Sequence, residues 1–196
     1  MTIEMKLLFA VFFPLLMAPI SYLIGRSNKR ARNMFAILVT ALVMVAVCFM
    51  VGKSGTVTLV NICGLGLRFD ASGIHGVLAC LCAFIWLMTT IFSDEYFAHY
   101  RNRNRYYFFM LASLGATLGV FLSADLFTTF VFFEVMSFTS FVLVIHDESD
   151  TALRAAKTYL AVAIIGGLVT LMGIFMVYNQ CQTLLYNDLV KAVDTV

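Results

Sequence analysis

The sequence predicts an all-α, polytopic membrane protein with about six transmembrane helices and an external β-hairpin between helices 2 and 3. Composition is the first observation behind this prediction. Of the 196 residues, 62% are hydrophobic and 12% are charged, and the mean hydropathy is +0.94. A soluble domain is about 45–50% apolar and about 25% charged. The values found here exclude a soluble globular domain, a disordered chain and a nucleic-acid-binding protein.

The second observation is a series of six apolar runs, each close to the ~20 residues that a helix needs to cross a bilayer. Lipid offers the backbone no hydrogen-bond partner, and the runs lack the alternation of barrel strands, so each run is predicted to be a helix. We expect a single transmembrane domain over residues 1–196. Its helices are predicted at residues 6–25, 33–52, 72–92, 106–124, 126–145 and 151–178, followed by a tail at 179–196.

The third observation is that basic residues concentrate in two connections, between helices 1 and 2 and between helices 3 and 4. By the positive-inside rule both connections lie in the cytoplasm. The chain is therefore predicted to be multi-pass in the inner (cytoplasmic) membrane, with the N-terminus and the C-terminus both outside. The basic residues counted are Arg26, Lys29, Arg30 and Arg32 in the first connection and Arg101, Arg103 and Arg105 in the second.

Residues 53–71 are predicted to form the external hairpin. Two short β-branched or apolar stretches, at 56–60 and 64–69, are predicted to be its strands, and Gly64 and Gly66 supply the turn or bulge positions. Asp70 and Asp125 precede helices 3 and 5, where both suit N-cap positions. In the tail, apolar residues between 184 and 193 favour a short helix.

The five cysteines predict neither a disulfide framework nor a metal site. Cys48, Cys80 and Cys82 lie in apolar runs, where a thiol behaves as a small hydrophobic group. The Cys80-x-Cys82 spacing is not that of a zinc site. The sequence also lacks a phosphate-binding loop and a nucleophile with a base. We therefore expect no metal, no cofactor and no catalytic residue in this chain.

Glu134 is the one formal charge within the fifth apolar run. It lies eight residues after Leu126, about 12 Å from that end of the run. An acid at such depth costs several kcal/mol unless it faces protein or water, and acids that persist there are usually functional. We therefore predict that Glu134 takes up and releases a proton. The alternative is a purely structural hydrogen bond to a neighbouring helix.

Four other side chains are candidates with weaker support. Lys157 lies about two turns into helix 6, where it either snorkels to the interface or faces Glu134; the sequence alone favours neither. Arg154 is at i−3 from Lys157 and shares its face. His75 near the outer surface and His146 at the end of helix 5 are possible relays, although helix-end hydrogen bonding and capping are the simpler interpretations.

These residues stand in stretches that resemble the antiporter-like, proton-translocating subunits of respiratory complex I, membrane-bound hydrogenases and multisubunit cation/proton antiporters. The hallmark of that family is a helix that begins near an Asp-Leu pair and carries an aromatic–Glu pair, followed by a helix that opens with Ala-Ala-x-Lys. Both occur here in order, and the resemblance extends from about residue 65 to 178. The matching stretches are residues 92–97, 106–111, 121–127, 132–134 and 154–159.

The resemblance implies roles for two residues. Glu134 corresponds to the family's proton-channel glutamate, and Lys157 corresponds to the lysine at the start of the next helix. Family members usually have about fourteen helices in two inverted repeats, with a partner lysine on a broken seventh helix. Because only six helices are predicted here, the resemblance implies either that another chain supplies the missing C-terminal half or that this is a reduced subunit using the glutamate half.

We therefore expect an ion-translocating subunit, for protons or sodium ions, of a redox-driven complex-I-like or energy-converting hydrogenase-like complex. The chain itself would be a non-redox subunit of that oxidoreductase or translocase. Its partners would be other membrane subunits and the lipid bilayer, with no nucleic acid. Two alternatives stay open. One is a subunit of a multisubunit sodium/proton antiporter without a redox partner, and the other is a structural subunit that only braces a complex.

Overall fold

A computed structural model describes residues 2–59, 66–97 and 103–193. Six long helices and a two-stranded hairpin follow one another in the predicted order, and a short helix follows them. The elements are α1 (Ile3–Ser27), α2 (Lys29–Cys48), β1 (Thr56–Leu59), β2 (Leu67–Asp70), α3 (Ile74–Tyr96), α4 (Arg103–Phe121), α5 (Leu126–Val144), α6 (Asp150–Cys181) and α7 (Tyr186–Val193), with a 3₁₀ turn at Ile145–Asp147.

Local capping explains where three of the helices begin. The Asp125 carboxylate accepts a hydrogen bond from the backbone N–H of Thr128 (2.6 Å), as its predicted cap position requires. Ser149 caps α6 in the same way. The Asn28 side chain accepts from two backbone N–H groups at the start of α2, which therefore begins at Lys29 rather than at the predicted residue 33.

The prediction that Asp70 caps α3 is wrong. The N-cap residue is Gly73, at a positive φ of 56°, and no side chain caps this helix end. The Asp70 carboxylate instead accepts from the backbone N–H and from the hydroxyl of Ser72, both at 2.7 Å. The local turn therefore uses the side-chain oxygens before the helix begins.

The hairpin is confirmed, and it is tied to the rest of the molecule by backbone hydrogen bonds. β1 pairs antiparallel with β2, with Thr56 opposite Asp70 and Leu59 opposite Leu67. β2 continues onto the α4–α5 connection, where Asp70 N donates to Leu122 O (2.8 Å) and Ala124 N donates to Arg68 O (2.9 Å). That connection in turn pairs with the segment after α6 through Leu126 N and Leu184 O (3.1 Å). We call this end of the bundle the hairpin end, and the opposite end the basic end.

Helix α4 occupies the centre of the bundle. It contacts α1, α2, α3 and α5, and eleven of its 19 residues are buried. Gly115 and Gly119 allow two of these approaches: a Cβ on Gly115 would lie 2.7 Å from the Val11 carbonyl oxygen, and one on Gly119 would lie 2.7 Å from Cε1 of Phe132. These two glycines form a small-xxx-small pattern, which here marks one close contact with α1 and one with α5.

Helix α6 lies at the edge of the bundle. Among the long helices it contacts α5, and only Ala156, Gly167 and Ile174 of its 32 residues are buried. In the described part of the chain, five helices are long and apolar enough to cross a membrane: α1, α2, α3, α5 and α6. The sixth predicted span, α4, is not among them, because its first turns carry Arg103, Asn104 and Arg105.

Candidate ion-translocation site

Glu134 lies in the middle of α5, on the side that faces α6. Its side chain is half-buried, and its Oε1 atom is buried without a hydrogen-bond partner among the residues that the structure describes. Ser137, one turn further along α5, is also buried. Glu134 therefore lies in mid-helix, eight residues after the first residue of α5. The structural alternative predicted a hydrogen bond to a neighbouring helix, and the described ranges contain none for Oε1.

Gly167 makes room for the Glu134 carboxyl group. A Cβ atom at this glycine would meet Oε1 of Glu134 and would lie 2.9 Å from its Cδ. The carboxyl group therefore rests directly against the backbone of α6. The neighbouring Gly166 is exposed, with nothing within 4 Å of a Cβ built there. The sequence alone does not distinguish the two glycines, because it does not say which of them faces α5.

Lys157 does not meet Glu134 in this structure. It lies ten residues before Gly167, about 15 Å along the helix axis, and it is exposed. Within the described ranges, the ion pairs found do not include Lys157 or Glu134. Arg154 is exposed as well. The structure thus places both cations on the open side of α6, near the basic end.

The two histidine candidates lie at opposite ends of the bundle. Nδ1 of His75 is 2.9 Å from the carbonyl oxygen of Phe121, a helix-end contact at the hairpin end. His146 lies in the 3₁₀ turn after α5, with its ring against those of Phe97 and Tyr106. Arg105 donates to the His146 carbonyl oxygen (3.1 Å) and forms a 2.6 Å ion pair with Glu148. Neither histidine contacts Glu134.

A buried arginine at the basic end was missed by sequence reasoning. Arg32, predicted to be a loop charge, lies in the first turn of α2 and is only 1% exposed. Its Nε and Nη2 donate to Oδ1 of Asn33 (3.0 and 2.7 Å), and Nη1 donates to Oδ1 of Asn104. Its guanidinium group also lies over the ring of Tyr107, with Cζ 4.6 Å from the ring centroid.

The Arg32 guanidinium group is linked to a carboxylate through the side chain of Asn33. Asn33 donates to a carboxylate oxygen of Asp94 at the end of α3, and Asp94 also accepts from Arg103 (3.2 Å). Gly25 of α1 completes the pocket, because a Cβ there would lie 2.7 Å from Cδ of Arg32. The network joins α1, α2, α3 and α4. The only sequence signal for this burial is that Arg32 directly precedes residue 33, where helix 2 was predicted to begin.

The described cysteines form no disulfide, and the described residues contain no metal-binding cluster. Cys48, Cys80, Cys82 and Cys181 are free thiols, with the Cys48 and Cys80 sulfur atoms 3.6 Å apart; Cys63 lies outside the described residues. Across residues 2–59, 66–97 and 103–193, no group of three or more His, Cys, Asp or Glu side chains could hold a metal ion.

Comparisons with known proteins identify the family of the chain. Residues 123–196 match the family described as NADH:quinone oxidoreductase/Mrp antiporter, TM, a stretch that contains both Glu134 and Lys157. Proteins named antiporter subunit mnhD2 from Staphylococcus haemolyticus and Staphylococcus epidermidis are each 32% identical, over 133 and 127 residues. These alignments cover 67% and 63% of this chain, but only 26% and 25% of those proteins. The chain belongs to the antiporter-like subunit family.

Two solved structures share the fold of this antiporter-like chain. The membrane-bound sulfane sulfur reductase, an archaeal respiratory membrane complex, contains a chain with a TM-score of 0.81 at 18% identity. The Mrp complex from Dietzia sp. DQ12-45-1b contains another, with a TM-score of 0.81 at 20% identity. Each comparison covers 91% of this chain, but 38% and 20% of the respective matched chains. The chain also spans about a quarter of the length of the curated relatives that it matches.

Proposed function

We propose that this antiporter-like subunit translocates protons or sodium ions, and that Glu134 takes up and releases a proton during each cycle. The observation that carries the proposal is a mid-helix carboxyl group held against the bare backbone of Gly167, with Oε1 unpaired among the described residues. A glutamate kept only for bracing would hold a hydrogen bond across the interface, since an unsatisfied buried polar group is costly. A proton carrier needs its oxygen atoms free to exchange a proton.

We propose that Lys157 acts on Glu134 through space rather than through an ion pair. A cation on α6 favours the ionised carboxylate, and motion of α6 along α5 would change that influence. Arg154, His75 and His146 stay candidates for relays at the two ends of the bundle, since none of them contacts Glu134 in the described residues.

We propose that the open side of α6 is covered by membrane helices of neighbouring subunits. The large side chains on this side are exposed, among them Val162, Ile165 and Val169, and they follow the two exposed cations along α6, away from the basic end. One such neighbour would supply the C-terminal half of the translocation unit. The structures that share this fold belong to multisubunit membrane complexes.

We propose an Mrp-type antiporter complex as the host. The relatives at 32% identity carry the name of an antiporter subunit, which supports a complex driven by an ion gradient. The redox-driven complex expected from the sequence is the second candidate. It is supported by the fold shared with a subunit of an archaeal respiratory complex. Sodium-dependent proton uptake without any electron donor would favour the first candidate, and uptake that requires electron transfer would favour the second.

The test of Glu134 is ion translocation by vesicles that contain the assembled complex. Glu134→Gln keeps the shape and much of the hydrogen bonding but cannot exchange a proton, so assembly should persist while proton uptake is lost. Glu134→Asp should retain part of the activity. The matched control is Glu95→Gln, which removes an exposed carboxylate at the end of α3. Normal uptake by the assembled Glu134→Gln complex would leave the bracing subunit as the better explanation.

We propose that the basic end faces the cytoplasm and the hairpin end faces outside, as the positive-inside rule predicts. A cysteine placed at Ser54, beside the hairpin, should react with an impermeant thiol reagent added from outside. One placed at Ser27, at the end of α1, should react only after the membrane is opened. Both changes would be made in a chain whose five native cysteines are replaced by alanine, and the opposite labelling pattern would reverse the orientation.

A further inference from the structure

A groove between α1 and α4 opens at the basic end of the bundle. It is lined by Tyr22 on α1 and by Arg105, Phe108 and Phe109 on α4, and its volume is about 350 Å³. The rings of Tyr22 and Phe108 meet edge to face, with their centroids 6.3 Å apart. These four residues define what we call the aromatic groove. Its walls are apolar, apart from the phenol hydroxyl of Tyr22 and the guanidinium group of Arg105.

The mouth of the aromatic groove is cationic. The two helices run antiparallel, because Gly25 lies against Asn104 just as Gly115 lies against Val11 and Leu15. Arg26, one turn beyond Tyr22, is therefore level with the start of α4, about 6 Å above the aromatic contact. Arg26 is exposed, and the ion pairs found among the described residues do not include it.

The charges around this mouth are predominantly positive. Lys29 and Arg30, the first two residues of α2, follow Arg26 in the chain. Both are exposed, and the ion pairs found in the described part of the chain do not include them. The Arg105 guanidinium group already binds Glu148. Arg26 thus remains the cation that can bind an incoming anion, with Lys29 and Arg30 raising the local potential.

We propose that the aromatic groove binds an anionic phospholipid. One acyl chain would lie against Phe108 and Phe109, and the phosphate would bind Arg26 and accept a hydrogen bond from the phenol of Tyr22. The combination selects this ligand because an apolar slot beneath a cationic rim matches the two parts of a lipid, and each basic residue near a bilayer surface adds attraction for anionic headgroups. A zwitterionic lipid would fill the slot but would gain little at the rim.

The test uses the assembled complex in bilayers that contain phosphatidylglycerol or phosphatidylcholine with the same photoreactive acyl chain. After irradiation, the yield of lipid adducts is measured on the peptide that carries residues 103–121. We expect a preference for the phosphatidylglycerol probe of about fivefold, the factor expected for one engaged cation. Arg26→Gln should reduce its labelling to the level of the phosphatidylcholine probe.

Two controls make the result specific. Lys53→Gln removes an exposed cation at the hairpin end and should leave the preference unchanged. Glu134→Gln should also leave it unchanged, so that failure of the lipid site and failure of the translocation site are distinguished. Equal labelling by both probes, an unaltered preference in Arg26→Gln, or a protein adduct in place of a lipid adduct at this groove would each overturn the proposal.

Discussion

Helices α4 and α6 have opposite environments. Eleven of the 19 residues of α4 are buried, against three of the 32 residues of α6. Yet α6 is among the five helices that are apolar enough to cross a membrane, whereas α4 is not. Hydropathy therefore follows contact with lipid rather than depth in the bundle. A helix surrounded by protein can keep Arg103, Asn104 and several small residues.

The comparison also explains where the ionisable carboxyl group lies. α5 packs between the two helices, with α4 on one side and α6 on the other. Phe132 faces α4, at Gly119, and Glu134 faces α6, at Gly167. The acid thus points away from the tightly packed centre and toward the long helix with the smallest buried share. In the proposed mechanism, the group that changes protonation state therefore lies where the structure can move at lowest cost.

The largest expected effect is on the free energy of unfolding, and it distinguishes the buried Arg32 from the exposed Arg154. Arg32→Ala leaves the amide oxygen atoms of Asn33 and Asn104 without their donors and opens a cavity beside Tyr107. Such losses cost roughly 2–4 kcal/mol of the free energy of unfolding. Arg154→Ala, on the exposed side of α6, should change that free energy by less than about 0.5 kcal/mol. Unfolding in mixed micelles, followed by circular dichroism, measures both. Equal losses in the two variants would mean that the Arg32 pocket beside α4 is no better packed than the exposed side of α6.

The second prediction compares two glycines. Gly119→Ala places a Cβ against the ring of Phe132, and overpacking of this kind typically costs 1–3 kcal/mol, about 2 kcal/mol here. Gly173→Ala on α6 meets nothing within 4 Å. Since alanine is the better helix former, it should stabilise the helix by up to about 1 kcal/mol. The same unfolding assay should therefore show shifts of opposite sign, and shifts of the same sign would contradict the assigned contacts.

Local signals predicted the elements better than they predicted the contacts between them. Asp125 was correctly assigned as a cap, because its partner is three residues away in the chain. The assignment of Asp70 as a cap failed because its carboxylate accepts hydrogen bonds from Ser72, which lies before the helix. The burial of Arg32 and the contact between Gly167 and Glu134 depend on which face of one helix meets another, and the apolar pattern of a membrane helix contains little information about its faces. The sequence singled out Glu134 because an ionisable side chain deep in an apolar run is costly wherever the run packs.

The third prediction uses the adjacent glycines of α6. Gly167→Ala should displace the Glu134 carboxyl group and reduce proton uptake by at least about tenfold, because small displacements of a reacting group can cost as much as 10²-fold. Gly166→Ala adds the same methyl group one residue earlier, where nothing lies within 4 Å, and should leave uptake unchanged. Assembly of both complexes is checked by gel filtration. If Gly166→Ala is the more harmful change, then α6 presents a different face to α5 in the working complex.

The smallest effect is expected at Lys157. At about 15 Å from Glu134, a unit charge contributes about 1 kcal/mol at an effective dielectric constant of about 20, and salt screening reduces this further. Lys157→Ala should therefore lower proton uptake by at most about fivefold, without loss of assembly, and the loss should shrink as ionic strength rises. Lys157→Arg, which keeps the charge, should restore uptake. Lys53→Ala, which removes an exposed cation at the hairpin end, provides the matched control. If Lys157→Ala abolished uptake as completely as Glu134→Gln, charge acting over 15 Å could not be the cause. Lys157 would then have to come into contact with the carboxylate, or with the next group on the proton path, at some stage of the cycle, and the sparsely packed α6 would be the helix that brings it there.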